Sequence, residues 1–169
     1  SSSCAKSASV ALPSTLEVKT PAAIDSLAMG FLPTTPLKGK SGASFLNPKE
    51  PEFRLDFLTT RHRGGEEPFF HPQLNVVLQP LPFMEFLLQH VEQAVVFSRE
   101  KAVLVNVPEP ARFALHKLIV YGERTGSYRA KANKDLSQSA SLLSYLWVHQ
   151  RRTVTTALED LHERGKGWT

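Results

Sequence analysis

The pattern of apolar and polar positions predicts short strands in the first part of the chain and long helices in the last part. Residues 52–59 alternate with a period of two, which is typical of a strand with one buried face. A turn at 47–51 separates this strand from the short apolar run 44–46, so the two runs are expected to pair as a hairpin. The residues expected on the buried face are Phe53, Leu55 and Phe57.

A second hairpin is predicted from two apolar, β-branched runs at 94–97 and 102–107, which flank a charged turn. A short helix is expected where Thr20 can cap and Gly30 can end it. Two further short elements are predicted, a strand at 76–78 and a helix at 83–90.

Helices are predicted in the rest of the chain, at about 108–124, 128–147 and 153–164. Each is expected to bury one apolar face, and the first two are expected to pack together. The expected core positions are Ala111, Leu115, Leu118 and Gly122, then Ala132, Leu136, Ala140, Leu143 and Trp147, then Val154, Ala157, Leu158 and Leu161.

This layout predicts an α+β fold in which a small mixed sheet is followed by a C-terminal helical bundle. We divide the chain into a flexible head or truncation scar at 1–19, a sheet-containing part at 20–107 and a helical subdomain at 108–169. Each boundary lies where the pattern changes, from Ser-rich sequence to short elements and then to helical spacing.

Composition, charge and cysteine content restrict the kinds of protein to which this chain can belong. The 169 residues are 41% hydrophobic and 21% charged, which is typical of a globular chain. The formal charge of +4 fits a solvated basic surface as well as a nucleic-acid partner. No apolar run reaches the ~20 residues of a membrane helix, so no membrane association is expected. Cys4 is the single cysteine, which excludes an internal disulfide and favours a reducing cytoplasm.

Asp56 is the first residue that could carry chemistry. It shares a strand face with Arg54, opposite the expected apolar face. One interpretation is a solvated carboxylate paired with Arg54. The other is a metal-binding carboxylate, since divalent ions used in phosphoryl transfer need hard oxygen ligands at fixed positions.

The predicted helix 108–124 carries two cations, Lys117 and Arg124, on the side opposite its core stripe. Spaced seven residues apart, they could hold a polyphosphate, with Lys117 as a point charge and Arg124 as a fork. The alternative is that both side chains merely solvate the helix. On the next helix, Asp135 borders the core stripe beside Lys134, where a structural salt bridge is the simplest interpretation.

Several stretches resemble a family of bacterial nucleotidyltransferase-fold proteins, over roughly residues 24 to 168. They are SLAMGFLPTTPL, SGASF, FRLDFLTT, LQPLPFMEFLL, VLVNVPEPARFALHKLIVYGER and YRAKANKDLSQSASLL. The resemblance implies transfer of a nucleoside monophosphate from a nucleoside triphosphate to a hydroxyl or phosphate acceptor. It also implies metal ions, Mg²⁺ or Mn²⁺, held by an Asp-x-Asp pair on one strand and a third carboxylate on a neighbouring strand.

Residue roles follow from this resemblance. Asp56, in RLDFLT, matches the third carboxylate and is the expected catalytic and metal-binding residue. Lys117 resembles the triphosphate-binding lysine, and the step Lys134-Asp135 resembles a Lys-Asp step in the helical part of related enzymes. We therefore expect nucleotide contacts from Lys117, Arg124, Ser44 and Lys134, and supporting roles for Asp135 and Arg54.

The sequence departs from the family pattern at one point. A Gly-Ser or Gly-Thr followed by Asp-x-Asp is expected before residue 20 and is not present. The Ser-rich start without Met favours a fragment, and loss of catalysis is the other interpretation. We predict a cytoplasmic, metal-dependent nucleotidyltransferase with an unknown acceptor, RNA or protein. The alternative is a non-catalytic relative that binds nucleotide, RNA or a partner protein, as in toxin–antitoxin systems.

Overall fold

A computed structural model describes residues 9–10, 14–34, 42–61, 65, 67–123, 129–165 and 168. The described chain forms two compact units. The first unit contains the described residues from 14 to 82, and the second contains residues 9–10 and those from 83 onward.

The first unit begins with helix α1 (Thr20–Ser26) and a three-stranded antiparallel sheet. The sheet consists of β1 (Leu32–Pro33), β2 (Ser44–Leu46) and β3 (Arg54–Asp56), in that order. The predicted hairpin between 44–46 and 52–59 is confirmed, because β2 and β3 pair antiparallel with Phe45 opposite Leu55.

A second small sheet completes the first unit, from β4 (Leu58–Thr60), β5 (Phe69–His71) and β6 (Val76–Leu81). Strand β6 lies in the middle, parallel to β4 and antiparallel to β5. The predicted strand 52–59 is therefore two strands. Phe57 lies between them: its N–H donates to the carbonyl of Ala43, which immediately precedes β2, and its carbonyl accepts from the N–H of Gln79 of β6. The chain changes sheets at this residue, immediately after Asp56.

Alternation of burial along 53–58 is as the pattern predicts. The three phenylalanine and leucine side chains on one face are half-buried, whereas Arg54, Asp56 and Leu58 on the other face are exposed. The half-buried face packs on the core of the first unit, which contains Ile24, Phe31, Phe45, Val76 and Leu78.

The second unit starts with helix α2 (Met84–Leu88) and the hairpin of β7 (Val91–Phe97) and β8 (Ala102–Pro108). This confirms the second predicted hairpin. The backbone N–H of Val10 donates to the carbonyl of Asn106 on β8, at 2.7 Å.

Three helices follow: α3 (Pro110–Glu123), α4 (Arg129–His149) and α5 (Arg151–Glu163). Helices α3 and α4 run antiparallel, because Ala114 is bonded to Ser139 while Lys117, further along α3, meets Asp135, nearer the start of α4. The core of the unit draws on α2, α3, α4 and α5 and contains Phe86, Ala111, Leu115, Leu146, Val154, Ala157 and Leu161.

The α+β class and the three helices are confirmed, but the predicted core stripe of α4 is only partly confirmed. Leu143 packs against the core as predicted, and the side chain of Ala132 lies outside the described residues, but the other three members are exposed. Leu136 is 38% exposed, Trp147 is 46% exposed and Ala140 is also exposed. The buried positions are instead Asp135, Ser139 and Leu146, about one residue earlier along the helix. Two of them are polar, so a hydrophobic period could not locate this face.

Smaller corrections concern the ends of elements. Thr20 was expected to cap α1, but it is the first helical residue and Lys19 precedes the helix without a side-chain cap. Gly122, expected in the α3 core, is exposed. Strand β5 was not predicted. No described helix is long and apolar enough to cross a membrane.

Candidate functional site

Asp56 is held at the end of β3 by two neighbours. Ser44 donates its hydroxyl to Oδ1 of Asp56 at 2.6 Å, and Nε of Arg54 lies 3.0 Å from Oδ2. The side chains of Arg54 and Asp56 are 57% and 30% exposed. The carboxylate is therefore oriented by the sheet and remains accessible to solvent.

The register of the hairpin produces this arrangement. Ser44 lies directly opposite Asp56 across β2 and β3, and directly opposed side chains share one face. Arg54 reaches the same face because it is two residues before Asp56 on β3. Thr34 anchors Ser44 from the other side, because its backbone N–H donates to the Ser44 carbonyl at 2.8 Å.

Lys117 and Asp135 form the second group of predicted residues. Nζ of Lys117 donates to Oδ1 of Asp135 at 2.7 Å, and their side chains are 14% and 10% exposed. The ammonium of Lys117 also lies 5.0 Å from the centre of the Phe113 ring, within the range of a cation–π contact. The salt bridge expected for Asp135 is present, and Lys117 is the cation that makes it.

The remaining predicted residues are distributed differently. Lys134 is exposed on α4, next to Asp135 in sequence. Arg124 lies outside the described residues. The structure thus brings Ser44, Arg54 and Asp56 together in the first unit, and Lys117 and Asp135 together in the second.

An ion-pair network around Arg112 was not predicted. Its side chain is 3% exposed, and its guanidinium contacts Glu109 at 3.3 Å and Asp160 at 2.5 Å. Nη1 also lies 3.4 Å from the Phe86 carbonyl. Arg164 reaches the same oxygen of Asp160 at 3.4 Å. The available sequence signal was weak: Glu109 precedes Arg112 by three residues, and Arg112 borders the buried stripe of α3.

Asp160 is a carboxyl with a shifted pKa in this network. Burial raises the pKa of Asp160, but hydrogen bonds from Arg112 and Arg164, together with their charges, lower it by more. The pKa of Asp160 is therefore below its usual value of 3.8. This network joins α2, α3 and α5 and contains no side chain expected to meet a ligand.

The predicted chemistry implies a divalent metal ion. Whether the protein can bind one depends on the side chains that could act as ligands. Within the described ranges, no three His, Cys, Asp or Glu side chains converge in a way that could hold a metal ion. Asp56 alone fits as a single hard ligand. That suits Mg²⁺ arriving with a nucleotide, since proteins bind it through one or two carboxylates plus substrate phosphates. It does not suit a metal centre made only of protein side chains.

The chain was compared with known protein families, curated proteins and solved structures. Residues 3–163 match the model of a family described as nucleotidyltransferase. Neither the curated proteins nor the solved structures that were searched gave a match.

Proposed function

The chain belongs to the nucleotidyltransferase family, and we propose that it transfers a nucleoside monophosphate from a nucleoside triphosphate to an acceptor in a metal-dependent reaction. The observation that carries the proposal is the orientation of Asp56. An accessible carboxylate, fixed by a cross-strand hydroxyl, is what phosphoryl transfer needs from a protein that acts through positioning.

In this proposal Asp56 binds the metal that accompanies the nucleotide, and Ser44 fixes the direction of its carboxylate. The metal, when bound, neutralises phosphate charge as a Lewis acid. Arg54 offsets the negative charge of Asp56 before the metal binds. Because the Arg54 side chain is exposed, breaking this ion pair costs little free energy.

Lys134 and Lys117 are the proposed phosphate contacts of the second unit. Lys134 is exposed and can meet a phosphate oxygen directly. Lys117 already donates to Asp135, but an ammonium has three donors, so its remaining N–H groups can bind phosphate while the salt bridge persists.

A second candidate is a non-catalytic relative that binds nucleotide, RNA or a partner protein. It is favoured by the observation that no three His, Cys, Asp or Glu side chains form a metal-binding group among the described residues, around Asp56 or elsewhere. The two candidates differ in one measurable property, which is transfer of the nucleoside monophosphate to an acceptor.

Calorimetric titration of the full-length protein with nucleoside triphosphate, with and without Mg²⁺ or Mn²⁺, tests the metal. Asp56→Asn should abolish the metal-dependent part of the affinity, because an amide cannot replace an anionic ligand. Asp25→Asn, which changes an exposed carboxylate on α1, is the matched control and should have no effect. Equal metal dependence in the Asp56 variant would exclude Asp56 as a ligand.

Phosphate contacts are tested with Lys134→Ala. We expect the affinity for triphosphate to fall about tenfold or more, and the affinity for monophosphate to fall less, because a charge-assisted contact contributes ~1.5–3 kcal/mol. Incubation with α-³²P-labelled nucleotide and RNA or protein acceptors then separates enzyme from binder. Binding without any labelled acceptor would favour the non-catalytic candidate.

A further inference from the structure

A groove between α3 and α4 carries polar and aromatic side chains that neither the fold nor the predicted roles explain. It has a volume of about 470 Å³ and is lined by Phe113, Ser137, Gln138, Ser141, Leu142 and Tyr145. The groove is shallow and open to solvent, so a ligand in it would be contacted along one side. We refer to it as the α3–α4 groove.

The lining of the groove continues a stripe along α4 that begins at Lys134. Lys134, Gln138, Ser141 and Tyr145 are spaced by four, three and four residues, which places them on one face of the helix. At 1.5 Å per residue the stripe is about 16 Å long, comparable to an extended nucleotide. Its charged end is Lys134, and its aromatic end is Tyr145.

Helix α3 has the same order of cation and aromatic ring on the other side of the groove. Because the helices are antiparallel, Lys117 lies near the Lys134 end, where it meets Asp135. Phe113, one turn earlier on α3, lies in the groove, and the Lys117 ammonium is 5.0 Å from its ring. Both helices therefore place cations at one end and aromatic rings further along.

Tyr145 has the features of a stacking surface. Its side chain is 59% exposed, and its ring lies 4.4 Å from that of His149, one turn further along α4. Nucleobases stack on such exposed rings whatever their identity. Gln138 offers both a donor and an acceptor, and Ser137 and Ser141 offer hydroxyls, which suit a base edge or a ribose.

The groove on the other side of α4 provides a comparison. It has a volume of about 590 Å³ and is lined by apolar residues of α3, α4 and α5 with one serine, Ser144. Its lining contains an aromatic residue, Trp147, but no amide, and Arg151 lies over the Trp147 ring at 4.5 Å. Both grooves thus have an aromatic ring near a cation, and the α3–α4 groove differs by its amide, Gln138, and its two serine hydroxyls.

We propose that the α3–α4 groove binds the nucleoside part of the nucleoside triphosphate, with the base against Tyr145 and Phe113 and the phosphates toward Lys117 and Lys134. This inference rests on the proposed function and adds the place where the base and ribose bind. Gln138 and the two serines then contact the sugar or the edge of the base.

The test is calorimetric titration of the full-length protein with ATP, GTP, CTP, UTP and inorganic tripolyphosphate. Tyr145→Ala should weaken nucleotide binding about tenfold, since stacking on an aromatic ring is lost, and should leave tripolyphosphate binding within twofold. Ser141→Trp, which fills the groove from an exposed position, should weaken all nucleotides at least as much. Gln138→Ala should change the ranking of the four bases.

Trp147→Ala is the matched control, because it removes an exposed aromatic ring two residues from Tyr145 on the opposite side of α4. It should leave nucleotide affinity unchanged. If the wild-type protein binds nucleotides and the affinities of the groove variants are within twofold of the wild-type affinity, the groove is not the nucleoside site. The proposed function stands in that case. An equal loss of tripolyphosphate binding also overturns the groove. If the wild type binds neither nucleotide nor tripolyphosphate, the proposed function itself fails.

Discussion

Two carboxylate–cation pairs of this protein have similar geometry and opposite environments. Arg54–Asp56 joins two residues of one strand at 3.0 Å, and both side chains are well exposed. Lys117–Asp135 joins two helices at 2.7 Å, and both side chains are largely buried. The carboxylate of the strand pair is accessible to a ligand, whereas the main role of the helix pair is to hold α3 against α4.

Burial decides what each pair contributes to stability. Exposed pairs contribute about 0–1 kcal/mol because water screens both charges. A buried pair is costly to break, because removal of one partner leaves the other charge without water or a counterion. The comparison therefore predicts large effects in the helical unit and small ones on the strand, in the order given below.

The largest effect is expected at Arg112, the most buried charged side chain in the pairs that the structure describes. Arg112→Met should lower the free energy of unfolding of the second unit by about 3–5 kcal/mol, since Glu109 and Asp160 both lose a buried guanidinium and Asp160 retains the longer contact with Arg164. Urea unfolding followed by tryptophan fluorescence reports on this unit, because both tryptophans, Trp147 and Trp168, belong to it.

Arg152→Met, at an exposed position of the same helix as Asp160, is the control for the Arg112 variant. It should change the free energy of unfolding by less than about 0.5 kcal/mol. A loss of under 1 kcal/mol for Arg112→Met would mean that burial does not govern these pairs.

Lys117→Met is expected to have the next largest effect, a loss of about 2–3 kcal/mol, because the largely buried Asp135 loses the ammonium group that lies 2.7 Å from it. The double variant Lys117→Met/Asp135→Leu should recover more than half of that loss, since both charges are gone. Lys134→Met removes an exposed cation beside Asp135 and is the matched control, with no loss expected.

The double variant also separates the two roles of Lys117. If it regains stability but still binds triphosphate weakly, Lys117 contacts phosphate as well as Asp135. If stability and triphosphate affinity both return, Lys117 is structural, and Lys134 is left as the phosphate contact.

The same contrast explains what could be predicted from the sequence. Around Asp56 the signals are local: alternation gives the strand faces and a turn gives the hairpin, and both were confirmed. The register that places Ser44 opposite Asp56 depends on the geometry of the turn 47–53, where Asn47 and Phe53 are bonded through their backbones. Composition and spacing do not specify that geometry.

On α4 the sequence misled because the buried face is polar. Ser139 is fully buried and donates its hydroxyl to the Ala114 carbonyl at 2.8 Å, and Asp135 is neutralised by Lys117. Each of these polar groups can be buried because it has a hydrogen-bond or ion-pair partner on α3. A prediction from one helix alone assigns Leu136 to the core instead, since hydrophobicity is all that it measures.

The pH dependence of stability should report the Arg112 network. A carboxyl whose folded-state pKa is lowered stabilises the protein above its usual pKa, 3.8 for Asp160, and loses that contribution as the pH falls through the folded value. Because the pKa of Asp160 is lowered, stability should fall as pH decreases below about 4. Asp160→Asn should flatten this part of the profile, as measured by urea unfolding at each pH.

Glu159→Gln is the control for the pH experiment, because it removes a carboxylate from the exposed side of the same helix. It should keep the slope of the wild-type profile below pH 4. An Asp160→Asn profile parallel to that of the wild type would show that other groups cause the acid loss.

The smallest effect on stability is expected at Arg54, and it is the sharpest test of the comparison. Arg54→Ala should cost less than about 1 kcal/mol, because the pair with Asp56 is exposed. All three tyrosines and both tryptophans lie after residue 120, so their fluorescence does not report on β2 and β3. Hydrogen exchange of peptides covering these strands is the suitable measurement.

If the proposed function is correct, Arg54→Ala should also strengthen metal-dependent nucleotide binding, since the cation that competes for Asp56 is gone. Lys49→Ala, which removes an exposed positive charge from the turn before β3, should change neither property. A large loss of protection at β2 and β3 would instead make Arg54–Asp56 a structural pair, and the distinction between the two carboxylates would fail.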